Sequence, residues 1–358
     1  MSGPAARVSR ADSEPGALPA EALARHLLAG RLVYDWSALP ATQPAEGVNA
    51  GMAEHFADRL MSAIRARQAP VVVGLDPVYE RLPPSLRPEG VGLSAAVTAV
   101  ESFSRGVIDV VAPLVPAVKI NSGFFEALYE GGVAAYYRLV THAHDRGLLV
   151  IGDVKRGDIG STARLYARGH LDQPAFDEVE PTRIPDAVTL AGYLGENAVR
   201  PFIDIARAQG RGVFVLVRPS DPGADLVHDF GEATRFYQHM AALVREWGER
   251  DELIGECGLS CVGAVVAPKD ADSTRALRDA LPRTPFLVPG YGAQGATAAA
   301  CRPCFRDDGT GAIVNASRSV IYAYEKPAYA ERFGEDWRAC VQQACRDFVS
   351  DVAQVAGM

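Results

Sequence analysis

The run Asp153-Val154-Lys155-Arg156-Gly157-Asp158 puts two carboxylates and an ammonium into one short stretch, one glycine after the apolar Leu148-Leu149-Val150-Ile151. Side chains on an extended strand alternate with a period of two, so Asp153 and Lys155 are expected on the same side. Gly157 lets the chain turn and carry Asp158 elsewhere. Opposite charges held this close set each other's ionisation and can stabilise charge that develops in a reaction. An isolated Asp-x-Lys can equally be a self-satisfied ion pair at a strand end, so the reading depends on what surrounds it.

The surroundings are an alternation of apolar, strand-length runs with helix-length segments that begins near residue 52. Strands are expected at 71–76, 115–120, 148–153, 186–190, 212–217, 262–266, 286–289 and 312–316. Helices are expected at 52–68, 95–111, 124–144, 197–209, 233–249, 270–281 and 330–355. Continuously apolar strands separated by helices belong in a parallel sheet covered on both faces. About eight such units predict an α/β fold, a (β/α)8 TIM barrel with an N-terminal extension. A doubly wound sheet is the alternative, but no G-x-G-x-x-G follows the first strand. Residues 1–50 are rich in Ala, Pro, Gly and Ser, with an amphipathic-looking piece at 23–33. They read as a poorly ordered or accessory extension, and 51–358 as the catalytic barrel.

A barrel collects its reactive groups at the C-terminal ends of its strands. Asp76 ends the first expected strand, Lys119 and Asn121 the second, Asp153 and Lys155 the third, Thr189 the fourth, Arg218 and Ser220 the fifth. After the seventh comes Pro289-Gly290-Tyr291-Gly292-Ala293-Gln294-Gly295, and after the eighth Ser317-Arg318. A glycine-rich turn exposes backbone N–H groups, and an adjacent arginine adds a bidentate cation. Loops after strands seven and eight are the usual phosphate seat of this fold, so a phosphate monoester substrate is expected.

Composition removes other classes. The 358 residues carry 36 Lys and Arg against 44 Asp and Glu, a formal net charge of −8, which argues against general attraction to nucleic acid or anionic membrane. No apolar stretch is long enough to span a bilayer, and the N-terminus lacks a basic segment followed by an apolar core, so the cytoplasm is expected. Cys301 and Cys304 form C-x-x-C without a second pair at zinc spacing, and the cysteines read as structural or incidental thiols. His142 and His144 read as surface or packing residues. No metal site is expected.

On these residues the chain resembles the orotidine 5′-phosphate decarboxylases, in their longer bacterial subgroup, over about residues 52–330. The markers are Gly74-Leu75-Asp76-Pro77, Val118-Lys119 with Phe124-Phe125-Glu126, the stretch from Asp153 to Gly160, Asp186-Ala187-Val188-Thr189, the loop from Pro289 to Gly295, and Ser317-Arg318. The resemblance implies a charged tetrad of Lys119, Asp153, Lys155 and Asp158. It implies a homodimer with shared sites, in which Asp158 reaches into the neighbouring subunit's site together with Thr162. It assigns Asp76 to ribose hydroxyls, Ser220 to the pyrimidine, and Gln294 with Arg318 to the phosphate. Pro219, Asp221, Ile120 and Gly192 depart from the family's usual residues at their positions.

The implied reaction is decarboxylation of orotidine 5′-phosphate to UMP in pyrimidine biosynthesis. Loss of CO2 from C6 leaves a carbanion with no adjacent carbonyl sink, so the site must stabilise localised charge electrostatically. Lys155 can do that and then donate the proton that replaces CO2. No organic cofactor is needed. Two rival readings remain from sequence. One is a magnesium-dependent sugar-phosphate decarboxylase or synthase on the same barrel, and the other is a catalytically silent binding protein.

Overall fold

The computed structural model describes residues 53–87, 92–173, 183–292 and 295–358. The barrel unit runs from Gly51 to Met358. Eight parallel strands close on themselves in sequence order: β1 (Val71–Leu75), β2 (Ala117–Asn121), β3 (Leu149–Arg156), β4 (Ala187–Leu190), β5 (Gly212–Arg218), β6 (Val262–Val266), β7 (Phe286–Val288) and β8 (Ala312–Ala316), with β8 paired back to β1. Each strand lies within a few residues of its expectation, because each is a short apolar run that must be buried on both faces.

Helices fill the connections: α1 (Phe56–Arg67) before β1, α2 (Leu93–Val111), α3 (Tyr129–Asp145), α4 (Gly160–Leu171), α5 (Glu196–Ala208), α6 (Phe236–Gly248), α7 (Ala271–Ala280) and the C-terminal α8 (Trp337–Ala356). Two expected helices are each divided. The one at 124–144 opens with a short turn, Gly123–Glu126, before α3. The one at 330–355 is interrupted at Gly334, whose φ of 60° ends the short helix Pro327–Phe333, and Asp336 then caps α8 through Ala339 N–H. No helix was expected between β3 and β4. α4 fills that gap with few apolar anchors, burying only Ala163, Ala167 and Leu171. The amphipathic-looking piece at 23–33 lies outside the described residues.

The core has two shells. Outward-facing strand residues such as Val73, Val118, Val188 and Val215 pack under the helices. Inward-facing Val72, Ala117, Ile151, Ala187, Phe214, Leu287 and Ile313 pack on α1, which plugs the N-terminal end of the barrel with Phe56, Leu60 and Ile64. Phe56 meets Phe214 edge-on at 6.0 Å between centroids. That approach requires Gly212, since a Cβ there would lie 2.2 Å from the Phe56 ring. The bottom of the barrel is therefore sealed, and any ligand must enter from the top.

Candidate active site

One step of the strand period above the sealed inner layer, side-chain chemistry changes. Lys119 follows Ala117, Asp153 follows Ile151, Thr189 follows Ala187, and Asn315 follows Ile313, all inward-facing. On the opposite wall, Leu216 and Val265 occupy the same level. The result is a cavity of about 310 Å3 with a polar half from β8 and β1–β4 and an apolar half from β5–β7. Its mouth is ringed by Asp76, Lys155, Ser220, Tyr291 and Arg318.

Asp153 sits at its floor, 7% exposed. Oδ2 accepts from Lys119 Nζ at 2.7 Å, while Oδ1 accepts from Lys155 Nζ at 2.5 Å and from Thr189 Oγ1 at 2.9 Å. Burial alone would push this carboxyl upward, but Lys119 and then Lys155 outweigh it and hold it well below the usual carboxylate range. Burial disfavours the Lys119 ammonium too, yet Asp153 and then Asp76, with Oδ1 at 4.0 Å, raise it above an ordinary lysine. Asp153 and Lys119 thus each favour the other's charged form at the cavity floor.

Local backbone geometry aims Lys155. The pairing of β3 with β4 slips between Gly152 and Arg156, and Lys155 takes a φ of 43° within that bulge. A lysine in the left-handed region is unusual and is held here because its N–H donates to Thr189 Oγ1 at 3.0 Å. Asp153 and Lys155 do share the cavity, as the period-two argument expects, but a bulge and not a regular strand delivers the second. Half of the Lys155 side chain is exposed to the cavity mouth.

Asp76 is held from behind. Tyr322 donates its hydroxyl to the Asp76 carbonyl at 2.9 Å and accepts from Val78 N–H at 2.7 Å, fixing the turn after β1. Asp76 Oδ1 and Asn315 Oδ1 are both buried and accept no hydrogen bond among the described residues. Two such acceptors at a cavity wall fit a ligand that brings hydroxyl donors. Gly74 makes this wall possible, because a Cβ there would lie 1.9 Å from Ser317 Oγ.

Arg318, exposed and with no ion pair among the described residues, lines the cavity beside Gly290 and Tyr291. Gly290 and Gly292 take φ of 100° and 70°, conformations that favour glycine. Gln294 lies outside the described residues. Ser220 lines the cavity between Pro219 and Asp221. Asp158 and Thr162 do not line it. Asp158 Oδ1 accepts its neighbour Ile159 N–H at 2.8 Å, and Thr162 is exposed on α4.

Arg218 departs from its expected place at the rim. One extra residue between Leu216 and Arg218 in the pairing with β6 re-aims its side chain outward, where it donates to Ser273 Oγ at 3.0 Å and covers the Tyr237 ring at 4.1 Å. Thr189 was legible only as a strand end, and Asn315 was not singled out at all. Counting two residues on from each inward-facing core position would have found both. Within the segment 221–260, α6 buries Tyr237, Met240, Val244 and Trp247, while Leu226, Val227 and Phe230 before it are exposed.

With this geometry in view, the comparisons converge. The profile of the orotidine 5′-phosphate decarboxylase / HUMPS family matches residues 70–333. An orotidine 5′-phosphate decarboxylase of Rhodopirellula baltica is 37% identical over 297 residues, 81% of this chain and 96% of its own length. One from Caldicellulosiruptor bescii is 32% identical over 284 residues, covering 77% and 92%. Among solved structures, a Streptomyces avermitilis protein described as a candidate orotidine 5′-phosphate decarboxylase superposes with a TM-score of 0.69 at 32% identity, covering 87% of this chain and all of that one. A match spanning the barrel from β1 past β8, on the strands that carry Asp76, Lys119, Asp153, Lys155 and Arg318, makes this chain a member of the orotidine 5′-phosphate decarboxylase / HUMPS family.

Proposed function

We propose that the protein decarboxylates orotidine 5′-phosphate to UMP for pyrimidine biosynthesis, with Lys155 as the proton donor. The observation that carries this reading is the Asp153 carboxylate clasped by two ammonium groups at the floor of a half-apolar cavity. As the bond from C6 to the carboxylate carbon breaks, CO2 leaves without the electron pair, which stays on C6. The Lys155 ammonium faces that charge and passes it a proton; the amine then regains a proton from solvent. Asp153, kept ionised, repels the substrate carboxylate and loses that repulsion when CO2 departs. Lys119 holds Asp153 in place, and Asp76 and Asn315 offer acceptors to ribose hydroxyls. Arg318 and the glycine turn at 290–292 take the phosphate, with Gln294 as a further contact, and Ser220 meets the pyrimidine.

The magnesium-dependent alternative fits this donor set poorly. A hard dication needs several carboxylate oxygens at once; both oxygens of Asp153 are taken by lysines, and among the described residues no three acidic, His or Cys side chains cluster as ligands. The direct test is loss of orotidylate ultraviolet absorbance on adding purified protein, with and without a chelator. Turnover in both arms is expected; turnover abolished by the chelator would favour the metal reading, and none in either arm would sink the decarboxylase reading.

The same reading includes a homodimer with shared sites. Exposed Ile159, Leu165 and Tyr166 flank Asp158 and Thr162 along the chain, and Tyr193 and Leu194 are exposed in the β4–α5 connection, apolar surface that a second copy would cover. Mixing Lys155→Ala chains with Asp158→Ala chains makes about half of the dimers mixed, each with one intact site, so about a quarter of all sites should recover. No recovery in proven mixed dimers would assign Asp158 to its own subunit. Among the described residues no helix is long and apolar enough to cross a membrane, and the cytoplasm is the compartment proposed.

A further inference from the structure

Lys269 lies outside the cavity, three residues past the end of β6, yet its ammonium reaches back to the loop after β5. Nζ donates to the Ser220 carbonyl at 3.2 Å and the Asp221 carbonyl at 3.4 Å, and pairs with Asp225 Oδ1 at 3.0 Å. These acceptors match the three N–H donors of the ammonium. The side chain is only 20% exposed, so the bonds compete little with water.

The platform beneath Lys269 is rigid. Ala267 N–H donates to the Arg218 carbonyl at 2.8 Å, extending the strand ladder past β6, and Lys269 N–H turns back to the Ala267 carbonyl at 3.0 Å. The next residue, Asp270, caps α7 through Ser273 N–H, and Arg218 ties Ser273 to β5. Above it, the loop's own support is one turn, in which Ala224 N–H donates to the Asp221 carbonyl at 3.1 Å. Residues 219–221 leave a strand end at a bulge, carry Pro219, and form the cavity wall opposite Lys119 and Asp153. Two successive carbonyls turned toward one cation fix the peptide planes on both sides of Asp221 and the carbonyl of Ser220 itself, and hence the direction in which the Ser220 side chain projects.

We infer that Lys269 is a positioning residue that sets recognition of the substrate's base by clamping the Ser220–Asp221 backbone, an inference that rests on the decarboxylase reading above. It touches neither substrate nor reacting atoms. Its effect must therefore pass through the base-contacting loop and leave the phosphate seat on β7 and β8 alone.

The experiment compares UMP with ribose 5-phosphate, which keeps the phosphate and sugar and lacks the base. Affinities are measured by calorimetry on the full-length wild type, Lys269→Met, Lys269→Arg and Ser220→Ala, with thermal melts to confirm folding. Lys269→Met is expected to weaken UMP about tenfold, the scale of losing hydrogen bonds to a charged donor, and to leave ribose 5-phosphate unchanged. Lys269→Arg should restore most of the loss. In a Ser220→Ala background Lys269→Met should add little, because both act on one contact. Equal weakening of both ligands, or a full additional tenfold in the double variant, would overturn the inference. If Lys269→Met does not fold, Lys269→Gln gives the same comparison. The wild type reports separately on the functional reading: no UMP binding and no orotidylate turnover would overturn that reading and this inference together, whereas turnover with a non-selective Lys269 effect would remove only the latter.

Discussion

Two buried aspartates, one at each end of the barrel, have nearly the same immediate chemistry and opposite surroundings. Asp153 at the top of β3 is bracketed by Lys119 and Lys155. Asp186, just before β4 at the bottom, accepts from Arg59 Nη1 at 2.5 Å, pairs with His144 at 2.9 Å and accepts from Val150 N–H at 2.8 Å. Burial pushes both carboxyls up and their partners pull both down further, Asp186 to about 2. Neither is more than 7% exposed. Asp186 is part of a closed seam between α1, α3 and the sheet. Asp153 opens onto a cavity, and one of its partners has half its side chain free of contact. A strongly shifted carboxyl thus marks an ion-pair network, and only an outlet beside it marks a place for chemistry.

Removing one cation at the top and the carboxylate at the bottom separates the two networks. Lys155→Ala should lower kcat by about 10^4-fold or more, since the only proposed proton donor is gone, while its melting temperature stays near that of the wild type. Asp186→Asn should do the reverse, costing about 3 kcal/mol of stability by leaving Arg59 unpaired and keeping kcat in the folded fraction. Turnover by Lys155→Ala, or a folded but inactive Asp186→Asn, would erase the distinction.

A smaller effect concerns the cavity mouth. Arg318→Ala should cost about 2 kcal/mol of UMP affinity, roughly thirtyfold, and leave uridine binding unaltered, because the contact proposed for it is to phosphate. Equal losses measured by calorimetry for both ligands would move the phosphate seat elsewhere.

The pH dependence sharpens the bottom network. Asp186 titrates lower in the folded chain than in the unfolded one, so on acidification the unfolded state takes up the proton first. The stability it contributes is fully present above the ordinary carboxylate value near pH 4 and is lost as pH falls through about 2, an amount of about 2 kcal/mol. Melts from pH 5 to 2 should therefore fall less steeply for Asp186→Asn than for the wild type, with a remaining slope from Asp153, which shifts in the same direction. An unchanged slope would mean that Asp186 is not ionised at the seam. The smallest effect is expected from deleting residues 1–50, a cut that spares the α1 plug beginning at Phe56. Turnover and melting temperature should both be retained; aggregation of the truncated chain would give the extension a part in the barrel's stability.

Period and apolarity in the chain were enough to determine the eight strands, the barrel they close, and the strand ends that carry Asp76, Lys119, Asp153 and Arg318, because a strand buried on both faces leaves little freedom in where it starts or stops. Local sequence carried little sign of α4, which buries only Ala163, Ala167 and Leu171 and packs against α5. It also could not determine where a ladder slips. The bulge in β3 turns Lys155 into the cavity through a left-handed backbone, and the bulge in β5 turns Arg218 out of it. Both depend on pairing with a neighbouring strand distant in sequence. The same holds for Lys269, which looks in sequence like any surface lysine and acquires its three acceptors only when the loops after β5 and β6 are brought side by side.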